Sequence, residues 1–433
     1  MSDWTIILRS LRTRLFSTVT TSLTVAVAVA LLLVLLVLRA SAAAAFERGS
    51  GDMHLLISRE SSPLISVLSS VFYADPPKRS MTLEQFETLK ASLPLGGNGY
   101  CIPLQQGDSF RGFPVTATTP EFFTRFKPNP GEAWAFAQGR SFDKPFEVVL
   151  GSAVARATGV TLGDRLFLTH GISQSRQLGD ANAMKPHEHS DFAYTVVGIL
   201  APTGGSHDRA IFTDLTSTWV IHAHDRRERD DPSLTTTTAQ DLTPADQLLN
   251  VAYVRLATRE GSNTPANLPQ VFDSLRRGGM FTVASPADQI KNLFRIVSSV
   301  DRVLVAMAIV VVISSAIAIM LALYNSMEQR RRQIAILRVL GASRARIFSL
   351  VLTESALLGV IGAVVGVVVS LAAGVLVAGA MRTQLGLVIT PRPDPRVVLG
   401  VALATVVLAC LAGVIPAVVA YRTSVAKNLR PIG

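Results

Sequence analysis

The side chains with the richest donor chemistry in this sequence are histidines. There are seven, and five of them fall between 187 and 224. They make two H-x-H pairs, Pro186-His-Glu-His-Ser-Asp191 and His222-Ala-His224, with His207 between them and His170 upstream. Two such pairs can present imidazoles from one strand face or one turn. Imidazole with a carboxylate suits Zn²⁺, and Glu188 or Asp191 would complete a four-coordinate site built on His187, His189, His207, His222 and His224. Such a site would sense zinc, dock a metal-linked partner or lock a subdomain. The competing reading is a polar, solvated loop whose histidines ligate nothing. Reactive patterns of other kinds are missing: there is no G-x-x-x-x-G-K-[ST], G-x-S-x-G or H-E-x-x-H. Asp230-Asp231 sits beside a Thr-rich run and reads as a solvated pair. No long apolar run has a His or Asp in its interior, as an intramembrane protease would need. The expectation is a protein that is not itself an enzyme.

The elements that would carry these residues follow from where charge is absent. Of 433 residues only 17% are charged, against roughly a quarter in a soluble chain. The deficit is concentrated in long apolar runs at the N-terminus and in the last third. A helix crossing ~30 Å of hydrocarbon needs about 20 apolar residues. Four segments meet that length: 19–38, 303–324, 349–380 and 397–421. The first also has the outline of a secretory signal, but such cores run to about 7–15 residues, so an uncleaved anchor is expected. The net charge of +10 comes from basic residues beside the apolar runs, not from a patch interleaved with aromatics, which argues against nucleic acid.

Arginine asymmetry orients the spans. Arg9, Arg12 and Arg14 precede the first span, and Arg330, Arg331, Arg332, Arg338, Arg344 and Arg346 lie between the second and third. Arg422, Lys427 and Arg430 follow the fourth. Basic segments stay in the cytoplasm. The segments 1–18, 325–348 and 422–433 are therefore expected inside, and 39–300 and 381–396 outside. Cys101 and Cys410 would then be kept apart by the membrane, and no disulfide between them is expected. The predicted fold is four transmembrane α-helices with a large α+β extracytoplasmic domain between the first and second. Strand-like runs at Glu147–Leu150, Tyr194–Leu200, Ala210–Thr213 and Val251–Leu256 support it, as do helical patterns at Leu83–Ser92 and Pro286–Val300. The domain divides into a membrane-proximal part, about 45–110 and 248–300, and a distal part, about 111–247. Arg226 to Thr243 reads as a flexible loop.

Two patterns at the membrane stand out. Arg330 to Leu340 reads as a short helix with Ile334, Leu337 and Leu340 on one face. Gly341 would end it through a left-handed cap, and Ser343 would cap the next helix. A basic, amphipathic loop of this kind either contacts anionic lipid or docks a cytoplasmic partner by its apolar residues. Gly362, Gly366, Ser370 and Gly374 put a small residue at every fourth position of the third span. That stripe lets helices approach closely, within the chain or in a dimer. Glu354 lies about one turn inside the cytoplasmic edge, positioned to snorkel or to pair with Arg346.

Taken together, these residues resemble a known family. Met327-Glu-Gln-Arg-Arg-Arg-Gln-Ile-Ala-Ile-Leu-Arg-Val-Leu-Gly-Ala-Ser343, then Glu354-Ser355, the glycine stripe and Pro416-Ala-Val-Val-Ala-Tyr-Arg422, resemble FtsX/MacB-type ABC transporter permeases. Gly139-Arg140, Val148-Val-Leu-Gly151, Gly163-Asp164, Val196-Val-Gly-Ile-Leu200 and Pro202-Thr-Gly-Gly205 with Asp208 are similar to a MacB-type periplasmic core domain. The resemblance implies a bacterial inner-membrane permease with both termini in the cytoplasm, paired with itself or a sister permease. It would carry two copies of a cytoplasmic ABC ATPase that binds the ATP and Mg²⁺. Arg330 to Arg346 would be its coupling region, and ATP-driven movement would act as mechanotransmission on a hydrophobic, peptide-like or lipoprotein cargo, with a periplasmic adaptor as a further partner. Few residues precede the first span, as in the stand-alone permeases of lipoprotein-release, haem-efflux and cell-division systems. The alternative is a transmembrane regulator that activates a periplasmic partner, such as a cell-wall hydrolase, without transport.

Overall fold

The computed structural model describes residues 3–170, 191–231, 236–384 and 393–422. In chain order it begins with α1 (Asp3–Thr13), α2 (Leu15–Gly49), β1 (Leu55–Ser58), α3 (Pro63–Ser70), β2 (Met81–Thr82), α4 (Leu83–Ser92), β3 (Tyr100–Phe110) and β4 (Phe113–Thr118). There follow α5 (Glu121–Thr124), β5 (Phe136–Gly139), β6 (Glu147–Leu150), α6 (Ser152–Thr158), β7 (Arg165–Leu166), β8 (Thr169–His170), β9 (Tyr194–Leu200), β10 (Ile211–Asp214) and α7 (Leu215–Asp230). The last elements are β11 (Leu248–Leu249), β12 (Val251–Arg255), α8 (Leu268–Arg277), β13 (Thr282–Ala284), α9 (Pro286–Val339), α10 (Arg344–Gln384) and α11 (Pro395–Arg422). These divide into a helical unit from the two ends of the chain and an α/β unit from its middle.

The α/β unit is built on one mixed sheet. Its strands run in the order β13-β1-β12-β3-β4-β10-β6-β9-β5, with β7 added beside β9 and β8 beside β3. Pairs β10–β4 and β6–β9 are parallel, and the rest are antiparallel. Both faces of its first half are covered, which is why its strands read as apolar runs rather than alternations. Leu56, Tyr100, Ile102 and Tyr253 enter an aromatic-rich cluster with Phe122, Phe126, Trp134 and Phe212. On the opposite face Leu55, Ile57, Cys101 and Val254 meet Phe86 and Leu89 of α4. Local signals explain the elements: Thr82 and Gln85 form a reciprocal capping box at the start of α4. Arg111 and Gly112 take φ of +50° and +84° in the two-residue β3–β4 hairpin, the backbone a primed turn demands.

Among the described residues the helical unit contains four helices long and apolar enough to span a bilayer: Leu15–Ser41, Arg302–Met327, Arg344–Ala380 and Pro395–Arg422. The helix at Pro286–Val300 and the span 303–324 form one long helix, as the run of the first straight towards the second implies, and α9 continues unbroken into the loop helix from Arg330. Two further features differ from the sequence expectations. Arg226 to Thr243 is not one loop: α7 runs on to Asp230, and Ala239–Asp241 is a 3-10 turn. Arg226 is tied to Asp246 and Arg227 to Asp241. The N-terminal flank is itself a helix, α1, anchored by buried Ile7 and Leu11 at i, i+4.

Candidate functional site

The elbow between α9 and α10 is built by its own sequence. Gly341 takes φ +96°, which costs a glycine little. Its N–H donates to the Arg338 carbonyl at 3.2 Å, and the Ala342 N–H donates to the Leu337 carbonyl at 3.0 Å. That pair of bonds is the Schellman termination. Two residues later Ser343 caps α10, its Oγ accepting from the Arg346 N–H at 3.2 Å. The turn is thus fixed on both sides by hydrogen bonds.

Packing then separates the loop's apolar residues into two sets. Ile334 is buried with Met327, Ile347, Val351, Ala417 and Ala420. The Arg344 guanidinium lies 5.8 Å from the Tyr421 ring, a cation–π contact linking α10 to the end of α11. Ile336, Val339 and Leu340 point outward instead, with Val339 64% and Leu340 77% exposed. This corrects the face read from the sequence: Ile334 is a core residue, Leu337 and Arg338 are half-buried, and Ile336 and Val339 were missed. Their i, i+3, i+4 spacing with Leu340 was the available signal. Arg344 and Arg346 are exposed beside that trio. Arg330, Arg331 and Arg332 lie within α9, and their side chains fall outside the described residues.

The small-residue stripe on α10 packs within the chain. A Cβ added at Gly362 would lie 2.5 Å from Val25, and at Gly366 2.7 Å from Val29, both on α2. Gly374 is buried, and the Ser370 Oγ donates to the Val367 carbonyl of its own helix at 2.8 Å. About two turns before Gly362, Ser355 donates to the Ala409 carbonyl of α11 and faces Gly413. Glu354 is buried within the helical unit.

Among the described residues the histidines do not gather. His207 is fully enclosed, 5.6 to 6.0 Å from the rings of Phe126, Trp134 and Phe122, with Nδ1 2.9 Å from the Tyr73 hydroxyl. Burial pushes its pKa down to about 3. His222 lies against Gln105 and Asp108, whereas His224 meets Thr237 and Phe192. These two belong to α7, not to a strand, so their i, i+2 spacing turns them to different sides of a helix. Among the described residues no group of three or more His, Cys, Asp or Glu is placed to hold a metal. His187 and His189 lie outside the described residues.

The motif residues of the α/β unit are used for packing. Asp208 accepts from the Thr203 N–H at 2.8 Å, the Thr203 hydroxyl at 2.9 Å and the Gly204 N–H at 3.0 Å. Gly151 sits against that loop, where a Cβ would come within 2.4 Å of the Asp208 carbonyl oxygen. Gly139 and Gly198 permit equally close pairing of β5 and β9. Asp164 accepts from the Thr161 N–H at 2.7 Å and its hydroxyl at 3.0 Å.

Comparison with known proteins agrees with this architecture. A family model described as FtsX-like permease C-terminal matches residues 305–425. A second, described as MacB-like periplasmic core domain, matches residues 18–266. Among solved structures, the extracellular domain of the noncanonic ABC-type transporter YknZ from Gram-positive bacteria aligns over 53% of this chain and 98% of its own, at 9% identity and a TM-score of 0.25. No curated protein matches the chain.

Proposed function

The chain belongs to the family of ABC transporter permeases with a MacB-like periplasmic core domain and an FtsX-like C-terminal region, and from that premise we propose that the α9–α10 elbow is where a separate cytoplasmic ATPase docks. The observation that carries this reading is the exposed apolar trio Ile336, Val339 and Leu340, beside Arg344 and Arg346, on a turn held by two caps. An apolar knob with basic neighbours fits a groove with an acidic rim. Because Ile334 locks the base of the elbow into the helical unit, a push on the turn displaces helices rather than bending a loop. α9 continues without a break from Pro286 to Val339, so it is a fitting rod for that displacement.

In this reading ATP and Mg²⁺ bind the partner, present in two copies on a pair of permeases, identical or sister chains. Both termini and the elbow lie in the cytoplasm, as the arginine asymmetry favours, and the α/β unit works on the periplasmic side. The cargo class is hydrophobic, peptide-like or lipoprotein. Mechanotransmission is favoured by the unbroken run of α9 from Pro286 to Val339. The test is Val339→Asp with Leu340→Asp, which leaves the buried base intact. The double variant should lose ATPase co-purification, or keep the complex and lose the coupling of hydrolysis to the permease. Unchanged assembly with unchanged coupling would remove the assignment.

A further inference from the structure

We propose that α1 is a binding site for anionic phospholipid, held at the same end of the helical unit as the elbow. Its placement is fixed by contacts. Ile7 and Leu11 are buried in the helical core with Ile319 and Leu323 of α9. The Arg14 guanidinium donates to the Ser326 carbonyl at 3.3 Å, tying the α1–α2 turn to the end of the second span. Ser326 and Met327 close that span, so α1 lies at the depth where hydrocarbon gives way to headgroups.

What α1 leaves uncovered identifies the occupant. Leu15, Val19, Leu23, Val27 and Leu31 are exposed at every fourth position of α2. That spacing makes one stripe along a membrane-spanning helix, and on such a helix it faces acyl chains. Phe16 in the first turn of α2, 85% exposed, and Trp4 at the start of α1, 54% exposed, add aromatic surface on the two helices. Aromatic residues at this depth sit at the headgroup boundary. Arg9 and Arg12 are exposed on the side of α1 away from Ile7 and Leu11, as 100° per residue requires. Arg14 is engaged with the Ser326 carbonyl, so the exposed basic face consists of Arg9 and Arg12. An exposed aromatic residue and a basic face on a short helix joined to a membrane-spanning one match an interfacial helix on an anionic surface. A lipid phosphodiester satisfies the arginines while its acyl chains cover Trp4 and Phe16.

Tryptophan fluorescence tests this on the intact protein. The chain has three tryptophans, and Trp134 and Trp219 are buried in the α/β unit, so quenching from within the bilayer reads Trp4. The full-length chain is reconstituted in phosphatidylcholine nanodiscs doped with phosphatidylglycerol or phosphatidylcholine brominated high on the acyl chain. Quenching should appear in the parent and vanish in Trp4→Phe. It should be stronger with brominated phosphatidylglycerol, and the ratio should fall to about one in the Arg9→Gln, Arg12→Gln variant, since each arginine beside an anionic surface favours it by about fivefold. Arg9→Lys with Arg12→Lys should keep the preference. Absent Trp4 quenching, quenching that rises only as self-association is suppressed, or equal quenching by both lipids in the parent would each overturn the proposal.

Discussion

Replacing Gly366 by alanine tests whether the α10 stripe is an internal seam. The new Cβ would lie 2.7 Å from the Val29 Cβ and 2.8 Å from the Ala26 carbonyl oxygen. Carbon atoms rest about 3.5–4.0 Å apart, so α2 and α10 must part by roughly 1 Å. Neither contact is the end of a flexible chain, because one is backbone and the other a β-branched stem. Overpacking of this kind costs about 1–3 kcal/mol. Alanine in a helix interior returns about 0.5–1 kcal/mol relative to glycine, leaving a net loss of about 0–2.5 kcal/mol. Gly379→Ala, with nothing within 4 Å of its Cβ, gains the helix term alone and is the control. Gly362→Ala strikes Val25 on the same helix pair. Its effect combined with Gly366→Ala should therefore be less than additive, because one separation relieves both clashes. The assay is denaturant unfolding of the full-length chain in mild detergent, diluted until it is monomeric. If Gly366→Ala unfolds like Gly379→Ala there, and lowers only self-association, the stripe is a dimer seam and the packing argument is wrong.

Two further outcomes follow from the same structure. His207 is held well below its ordinary 6.5 by burial, near 3, while in the unfolded chain it takes up a proton below 6.5. Its contribution to stability is therefore complete above pH 6.5 and lost as pH falls from 6.5 towards 3. The limiting slope is about 1.4 kcal/mol per pH unit, and His207→Gln should flatten the pH dependence of unfolding in that window. Arg276→Cys, on the exposed side of α8, should react with a membrane-impermeant maleimide in intact spheroplasts. Native Cys101 should not, being buried with its thiol pushed up to about 12, and labelling of Arg276→Cys only after lysis would invert the topology.

The sequence was most legible where one force dominates. Four long apolar runs that carry a single charge between them, Glu354, admit few solvents other than lipid, and the strands at Glu147–Leu150 and Tyr194–Leu200 are bracketed by turn residues that leave them little freedom. The caps at Gly341 and Ser343 could be read because each depends on one side chain and its immediate neighbours. Reading failed where the answer lay in tertiary contacts. Ile334 and Ile336 are equally apolar, and only the approach of Ile347 and Ala417 decides which one is buried. The histidine pair at 222 and 224 could be assigned to one face only by assuming a strand. The last turns of α7 looked like a charged loop because the acids that hold Arg226 and Arg227 lie 20 and 14 positions downstream. α1 was hidden because arginines that orient a span and arginines that line a helix face look alike in the sequence.

The docking of an ATPase at the elbow is tested most directly by Leu340→Cys, the most exposed apolar residue of the turn. A thiol-to-amine crosslinker added to everted native membranes should join this position to one soluble-domain partner. Mass spectrometry should identify that partner as an ATP-binding subunit, and the yield should change when ATP with vanadate is added. Crosslinks confined to lipid or to another copy of this chain, with no nucleotide response, would contradict the account.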